Sequence, residues 1–216
     1  MRQVAIAVVT LVLCSAQAFA QAAPAGRRAT APAGQRAAAP APAAARGPQT
    51  PKSPDAGPVI VFETVKGTFE METYPNEAPK TVEHILALVK RNFYNGQRVH
   101  RVVPGFVIQF GDPQTRDMTK RDQWGRGFGA GSGKPIGVAE FSKTRTHVLG
   151  AVAMAHAGDA KQADSQMYIT LAPTHRLDGS YTVFGKVISG MDVVQKIAVG
   201  DMIRRASVRV EAPAGN

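Results

Sequence analysis

Cysteine is nearly absent: the 216 residues contain one, Cys14. An internal disulfide framework, a thiolate-rich zinc site and an iron-sulfur cluster are thereby excluded, because each takes more than one cysteine. Aromatic residues are scarce at 6%, with a single Trp, and acidic residues number 16 against 26 Lys and Arg, a formal charge of +10. No apolar run is long enough to span a bilayer; Val4 to Leu13 is too short. The five histidines, His84, His100, His147, His156 and His175, form no paired pattern on a helix face, so no metal site and no cofactor are expected. What is present in quantity is hydrophobic material, 44% of residues, which rules out a wholly disordered chain and suits one compact domain with an extension.

The charge is unevenly placed. Residues 1–20 read as a secretory signal: Arg2, the apolar run Val4 to Leu13, then Ala18-Phe19-Ala20 as a small-residue cleavage site. A lipid anchor at Cys14 is disfavoured because Leu13 is too large for the position before it. Residues 21–58 hold 14 Ala and 8 Pro, no aromatic and no apolar period, the composition of a tether that buries nothing. Arg2 and the tether carry half the excess charge, so residues 59–216 are only +5. Their basic residues are spread along the chain rather than clustered, which argues against nucleic-acid binding.

Residues 59–216 open with a β-branched run, Val59 to Val65, and an alternating run, Thr68 to Tyr74, separated by Lys66-Gly67: a hairpin. Pro79 suits the first turn of a helix whose Val82, Ile85, Leu86 and Val89 form one apolar stripe to about Lys90. Further strands are predicted at Arg98 to Val103, Phe106 to Phe110, Val148 to Ala155, Gln166 to Leu171, Thr182 to Val187 and Ala206 to Val210, and a second helix at Asp192 to Ile197. Many strands with two helices do not alternate as a parallel sheet requires. The economical closure is an antiparallel barrel with helices over its ends. The glycine-rich stretch Gly125 to Pro135 invites a phosphate-loop reading, but Phe128 stands where the loop needs Gly and Pro135 where it needs Ser or Thr.

The segment Val99-His100-Arg101-Val102-Val103-Pro104-Gly105-Phe106-Val107-Ile108-Gln109-Phe110-Gly111-Asp112 resembles the signature of the cyclophilins, peptidyl-prolyl cis/trans isomerases. Met154-Ala155-His156-Ala157, Ser165 to Ile169, Leu177-Asp178-Gly179 and Val183 to Val187 extend the resemblance from Val59 to about Val210. It implies a mainly β fold, a closed eight-stranded antiparallel barrel capped by two helices. It also implies rotation about X-Pro bonds without a cofactor, with proline-containing peptides and folding proteins as partners.

The resemblance assigns roles residue by residue. Arg101 becomes the catalytic donor and Gln109 orients it; Phe106, Val107, Met154 and Tyr168 line the proline pocket. Ala155, His156, Gln166, Leu177 and Tyr181 contact the flanking peptide. Strand alternation puts Val99, Arg101 and Val103 on one face and His100 on the other, where a structural role against the core is expected. The chain departs from many eukaryotic cyclophilins in having Arg176 where they have Trp, Met167-Tyr168 for Phe-Phe, and Tyr181 where His is common; these departures bear on cyclosporin binding more than on catalysis. The resulting expectation is an exported, monomeric, bacterial-type isomerase that acts in the periplasm, with secretion as the alternative place. It binds no nucleic acid and has no stable membrane insertion once the signal is cut. The rival reading is a non-catalytic proline-peptide-binding chaperone module.

Overall fold

The computed structural model describes residues 50–127 and 131–209; the expected signal at 1–20 and the tether up to Gln49 lie outside them. Eight strands form one antiparallel sheet: β1 (Val59–Thr64), β2 (Gly67–Thr73), β3 (Arg101–Val103), β4 (Val107–Phe110), β5 (Ala151–Met154), β6 (Met167–Thr170), β7 (Val183–Ser189) and β8 (Ile203–Val208). Their spatial order is β3-β4-β6-β5-β7-β2-β1-β8. The hairpin of β1 and β2 turns at Val65-Lys66, pairing Thr64 with Gly67.

The sheet curls around a core to which nearly every strand contributes alternate residues: Ile60 and Phe62, Phe69 and Met71, Ile108 and Phe110, Val152 and Met154, Met167 and Ile169, Phe184, Ile203 and Ala206. Phe62 anchors it, stacked on Phe69 at 5.0 Å and edge-on to Phe110 at 5.4 Å. Helix α1 (Pro79–Lys90) lays Val82, Ile85, Leu88 and Val89 against this core, Leu88 being buried where Leu86 is only partly so. Its first turn is capped from a distance: both carboxylate oxygens of Glu140 accept backbone N–H groups, those of Lys80 and Thr81, each at 2.9 Å. An anion there also meets the positive end of the helix dipole. The short helix α2 (Met191–Lys196) follows β7 and packs on β2.

Three expectations need correction. First, the strand ladder is not continuous round the ring. The sheet ends at β3 and β8, and only an irregular seam joins them: the bridge Arg98–Met202, with Val99 N–H donating to Asp201 O at 2.9 Å and Ile203 N–H to Gln97 O at 2.8 Å. The barrel is therefore open and curled rather than closed. That seam also shortens β3, because residues 97–99 face β8's approach instead of β4. Val99 accordingly sits in the core, on the opposite side from Arg101.

Second, residues 148–150 form a turn, Ala151 N–H returning to Val148 O at 3.1 Å, so β5 begins at Ala151. Third, the stretch expected to bury nothing until Pro58 docks from Thr50 onward. Thr50 N–H donates to Ile188 O at 2.7 Å and Gly57 N–H to Thr73 O at 2.8 Å. The backbone N–H and hydroxyl of Ser53 both reach the Glu72 carboxylate at 2.7 Å. Asp55 pairs with Arg145, whose guanidinium also holds Glu77 and lies 3.9 Å over the Tyr74 ring. Residues 50–58 are a strap across one end of the sheet's outer face. Buried Glu72 is the reason: a carboxylate out of water requires donors, and the strap supplies two.

Candidate active site

Alternation along β4, β5 and β6 sends the residues between the core positions to the outer face of the sheet. Val107, Ala153, Ala155 and Tyr168 form a second apolar cluster there, with Phe106, Leu177 and Tyr181 against it. The cross-strand register aligns the site: Arg101 opposite Gln109, and Gln109 opposite Tyr168. Between β3 and β4, Val103-Pro104-Gly105-Phe106 closes a tight turn, Phe106 N–H donating to Val103 O at 3.0 Å. Gly105 has φ 68°, the left-handed conformation that the third residue of such a turn needs and that glycine takes without strain. The turn sets the Phe106 ring at the end of the strand pair.

Nine of the expected site residues line one groove of about 220 Å³: Arg101, Phe106, Val107, Gln109, Ala155, His156, Tyr168, Leu177 and Tyr181. Two do not. Met154 is buried in the core, because β5 turns Ala153 outward and Met154 inward, with Ala155 just beyond the strand's end outward again. Gln166 is buried behind the groove, where its Oε1 accepts Gln109 Nε2–H at 3.0 Å and its Nε2–H reaches Gly125 O at 3.4 Å. Gln109 Oε1 in turn accepts Arg101 Nη1–H at 3.2 Å. The three side chains form a relay, buried glutamine to buried glutamine to exposed arginine, that aims the guanidinium along the groove. Arg101 also lies 5.7 Å from the Phe106 centroid, and its other N–H groups have no protein partner among the described residues.

Tyr168 is held by a network that no short-range motif announces. Its hydroxyl lies 2.8 Å from Nε2 of His147, a fully buried residue, and His147 Nδ1 lies 2.6 Å from the Asp178 carboxylate. Asp178 can only accept, so Nδ1 carries the proton, Nε2 is the acceptor, and Tyr168 O–H donates to it. The rings of His147 and Tyr168 stack at 5.9 Å. Burial, with the charges of Tyr181 and Asp178, pushes the Tyr168 phenol well above its ordinary range, so it stays neutral. Asp178 stays charged: burial would raise its pKa, but hydrogen bonds from His147 and His175 outweigh that and lower it. Tyr168 thus offers the groove an aromatic face while its polar tip is satisfied inside the protein. At the rim His156 stacks on Tyr181 at 4.4 Å and its Nε2 reaches Ser180 O at 3.1 Å.

His100 has both ring nitrogens buried, in keeping with a structural role. It packs under Gly125, where an added Cβ would come within 2.8 Å of its ring, and lines a neighbouring depression with Arg101, Gln109 and Trp124. Burial lowers its pKa to about 4, so the ring is neutral beside Arg101. Among the described residues no cluster of His, Cys, Asp or Glu is arranged to hold a metal ion, and no helix is long and apolar enough to cross a membrane.

A proline-sized apolar floor, an aromatic wall at each side and one directed guanidinium are the parts an X-Pro isomerase needs. The family model for cyclophilin type peptidyl-prolyl cis-trans isomerase matches residues 59–212. A probable peptidyl-prolyl cis-trans isomerase of Brucella abortus is 38% identical over 161 residues, 74% of this chain and 82% of the relative. A peptidyl-prolyl cis-trans isomerase-like protein of Aspergillus fumigatus is 36% identical over 140 residues, 65% of this chain and 81% of its own length. In fold the chain resembles a Cryptosporidium parvum cyclophilin, also solved in the presence of the dipeptide Ala-Pro; TM-scores are 0.61, with 24% and 23% identity, covering 72% and 71% of this chain and 99% of that one. The chain belongs to the cyclophilin-type peptidyl-prolyl cis-trans isomerases and is an enzyme of that activity.

Proposed function

We propose that this isomerase accelerates folding of exported proteins in the periplasm, after loss of residues 1–20, with Arg101 as the group that stabilises the twisted bond. Amide resonance sets a barrier of about 18 to 20 kcal/mol to X-Pro rotation. Halfway round, the nitrogen loses conjugation and becomes a hydrogen-bond acceptor. A donor fixed beside it binds that state more strongly than the planar ones, which is the requirement for catalysis. Arg101 is suited because it is always charged and carries several donors in one plane. Raising an uncatalysed rate of roughly 0.01 to 0.1 per second to about 10 to 1000 per second takes roughly 3 to 7 kcal/mol. A charge-assisted hydrogen bond and a grip on the ring by Phe106, Val107 and Tyr168 are of that order.

The observation that carries the assignment is the Gln166–Gln109–Arg101 relay: one N–H of Arg101 is anchored and the rest, beside the groove, have no partner among the described residues. A module that only grips proline peptides would have no use for a directed donor. Arg101→Ala should therefore lose about 2 to 4 kcal/mol of transition-state stabilisation, roughly 30- to 1000-fold in kcat/KM, with melting temperature retained. A protease-coupled assay on a proline tetrapeptide reads this. Activity within threefold of the unmodified enzyme would sink the role given to Arg101.

A further inference from the structure

The groove does not end at Phe106. The same ring forms one wall of a second depression, lined by Val103, Gly105, Phe106, Pro173, Thr174, His175 and Arg176, with a volume of about 470 Å³. Arg176 lies 4.6 Å over the Phe106 centroid, closer than Arg101 at 5.7 Å, so one ring between the two depressions carries two guanidinium groups. Neither has a carboxylate partner among the described residues. The nearest acidic side chain in sequence, Asp178, is occupied by His147 at 2.6 Å and His175 at 3.0 Å. This edge of the groove is thus positive and unneutralised.

From this we infer that Arg176 selects substrates that carry a carboxylate, an aspartate or glutamate, next to the X-Pro bond. The inference rests on the isomerase activity and names the class of peptide it favours. A proline held against Phe106 places a neighbouring side chain within reach of the second depression, because the ring is common to both. Stacking on that ring restricts the Arg176 guanidinium in advance, so less freedom is lost when an ion pair forms. It leaves the in-plane N–H groups free for a bidentate carboxylate. A lysine or arginine at the same place meets like charge and loses on both counts.

The test uses peptides of the form Ala-X-Pro-Z-Ala with Gln, Glu or Lys at X and Gln at Z, and the converse set, with cis/trans exchange followed by NMR. At one of the two positions Glu should exceed Gln in kcat/KM by about threefold and Lys by about tenfold, the size of a partly exposed ion pair against repulsion. Those ratios should fall towards one in Arg176→Gln and in 0.5 M sodium chloride as about that salt shortens the Debye length, and be partly kept in Arg176→Lys. Equal rates for all three residues at both positions, or a preference that survives Arg176→Gln, would overturn the inference. Titrating the same peptides onto Arg101→Ala, whose turnover is much reduced, reads binding: tighter binding of the Glu peptide upholds the role of Arg176, and equal binding refutes it. Failure of the unmodified enzyme to accelerate the Gln peptide would count against the isomerase reading alone.

Discussion

The two faces of the sheet obey different rules although they are built from the same strands. On the inner face Ile108, Phe110, Met154, Met167 and Ile169 belong to one hydrophobic cluster and bring no polar side-chain atom that needs a hydrogen bond, so what matters is volume. On the outer face Gln109, Tyr168 and Gln166 are as well buried, yet each must satisfy polar atoms, through Arg101, His147 and Gly125 O. Burial alone does not distinguish core from site; the presence of a hydrogen-bond relay does. Removing an inner residue leaves a cavity, whereas removing an outer one leaves an orphaned donor or acceptor.

The largest expected effect tests the inner face. Phe110→Ala deletes a ring packed edge-on to Phe62 and should cost about 3 to 5 kcal/mol of stability, read by denaturant unfolding. The fraction still folded should keep its kcat/KM; a matching collapse of activity in that fraction would show the faces are coupled. Next comes the strap. A chain starting at Val59 loses both Ser53 bonds to Glu72 and the Asp55 partner of Arg145, and should be destabilised by roughly 1 to 3 kcal/mol in thermal melting. An unchanged melting temperature would show that Glu72 is satisfied by water instead.

The smallest effect sharpens the rule for the outer face. Tyr168→Phe keeps the ring but strands Nε2 of buried His147, and should cost about 1 to 2 kcal/mol in denaturant unfolding; His147→Leu should cost more, because Tyr168 and Asp178 both lose the imidazole, and adding Tyr168→Phe to it should cost little further, that bond being already gone. Additive losses in the double variant would remove His147 from the site.

Much of this was legible in the residues. The hairpin, the helix from Pro79 to Lys90 and the groove formed by Arg101, Phe106, Val107, Gln109 and Tyr168 follow from alternation, helical spacing and the cyclophilin-like motif. The misplacements have physical causes. Met154 stands beside Ala155 in the motif, but neighbours in a strand face opposite ways, and adjacency hid that. Val99 shares parity with Arg101 only if the strand is regular, and the seam to Asp201 and Met202 breaks it. His147 precedes Tyr168 by 21 residues, with no local pattern to tie them. The strap is proline-rich like the preceding tether; Ser53 and Asp55, the one serine and the one acidic residue of 21–58, help to set it apart.

The alternation in β4 and β6 also shapes how this chain can change over evolutionary time. Substitutions at Val107, Tyr168 or Ala155 can retune what the groove accepts while the opposite face goes on holding the molecule together. Gain or loss of a single residue inside either strand would trade the two faces wholesale, sending Gln109 towards Phe62 and Phe110 into the open. Diversification of length is therefore confined to connections such as residues 111–146, and the strands themselves are free to vary in chemistry but not in count.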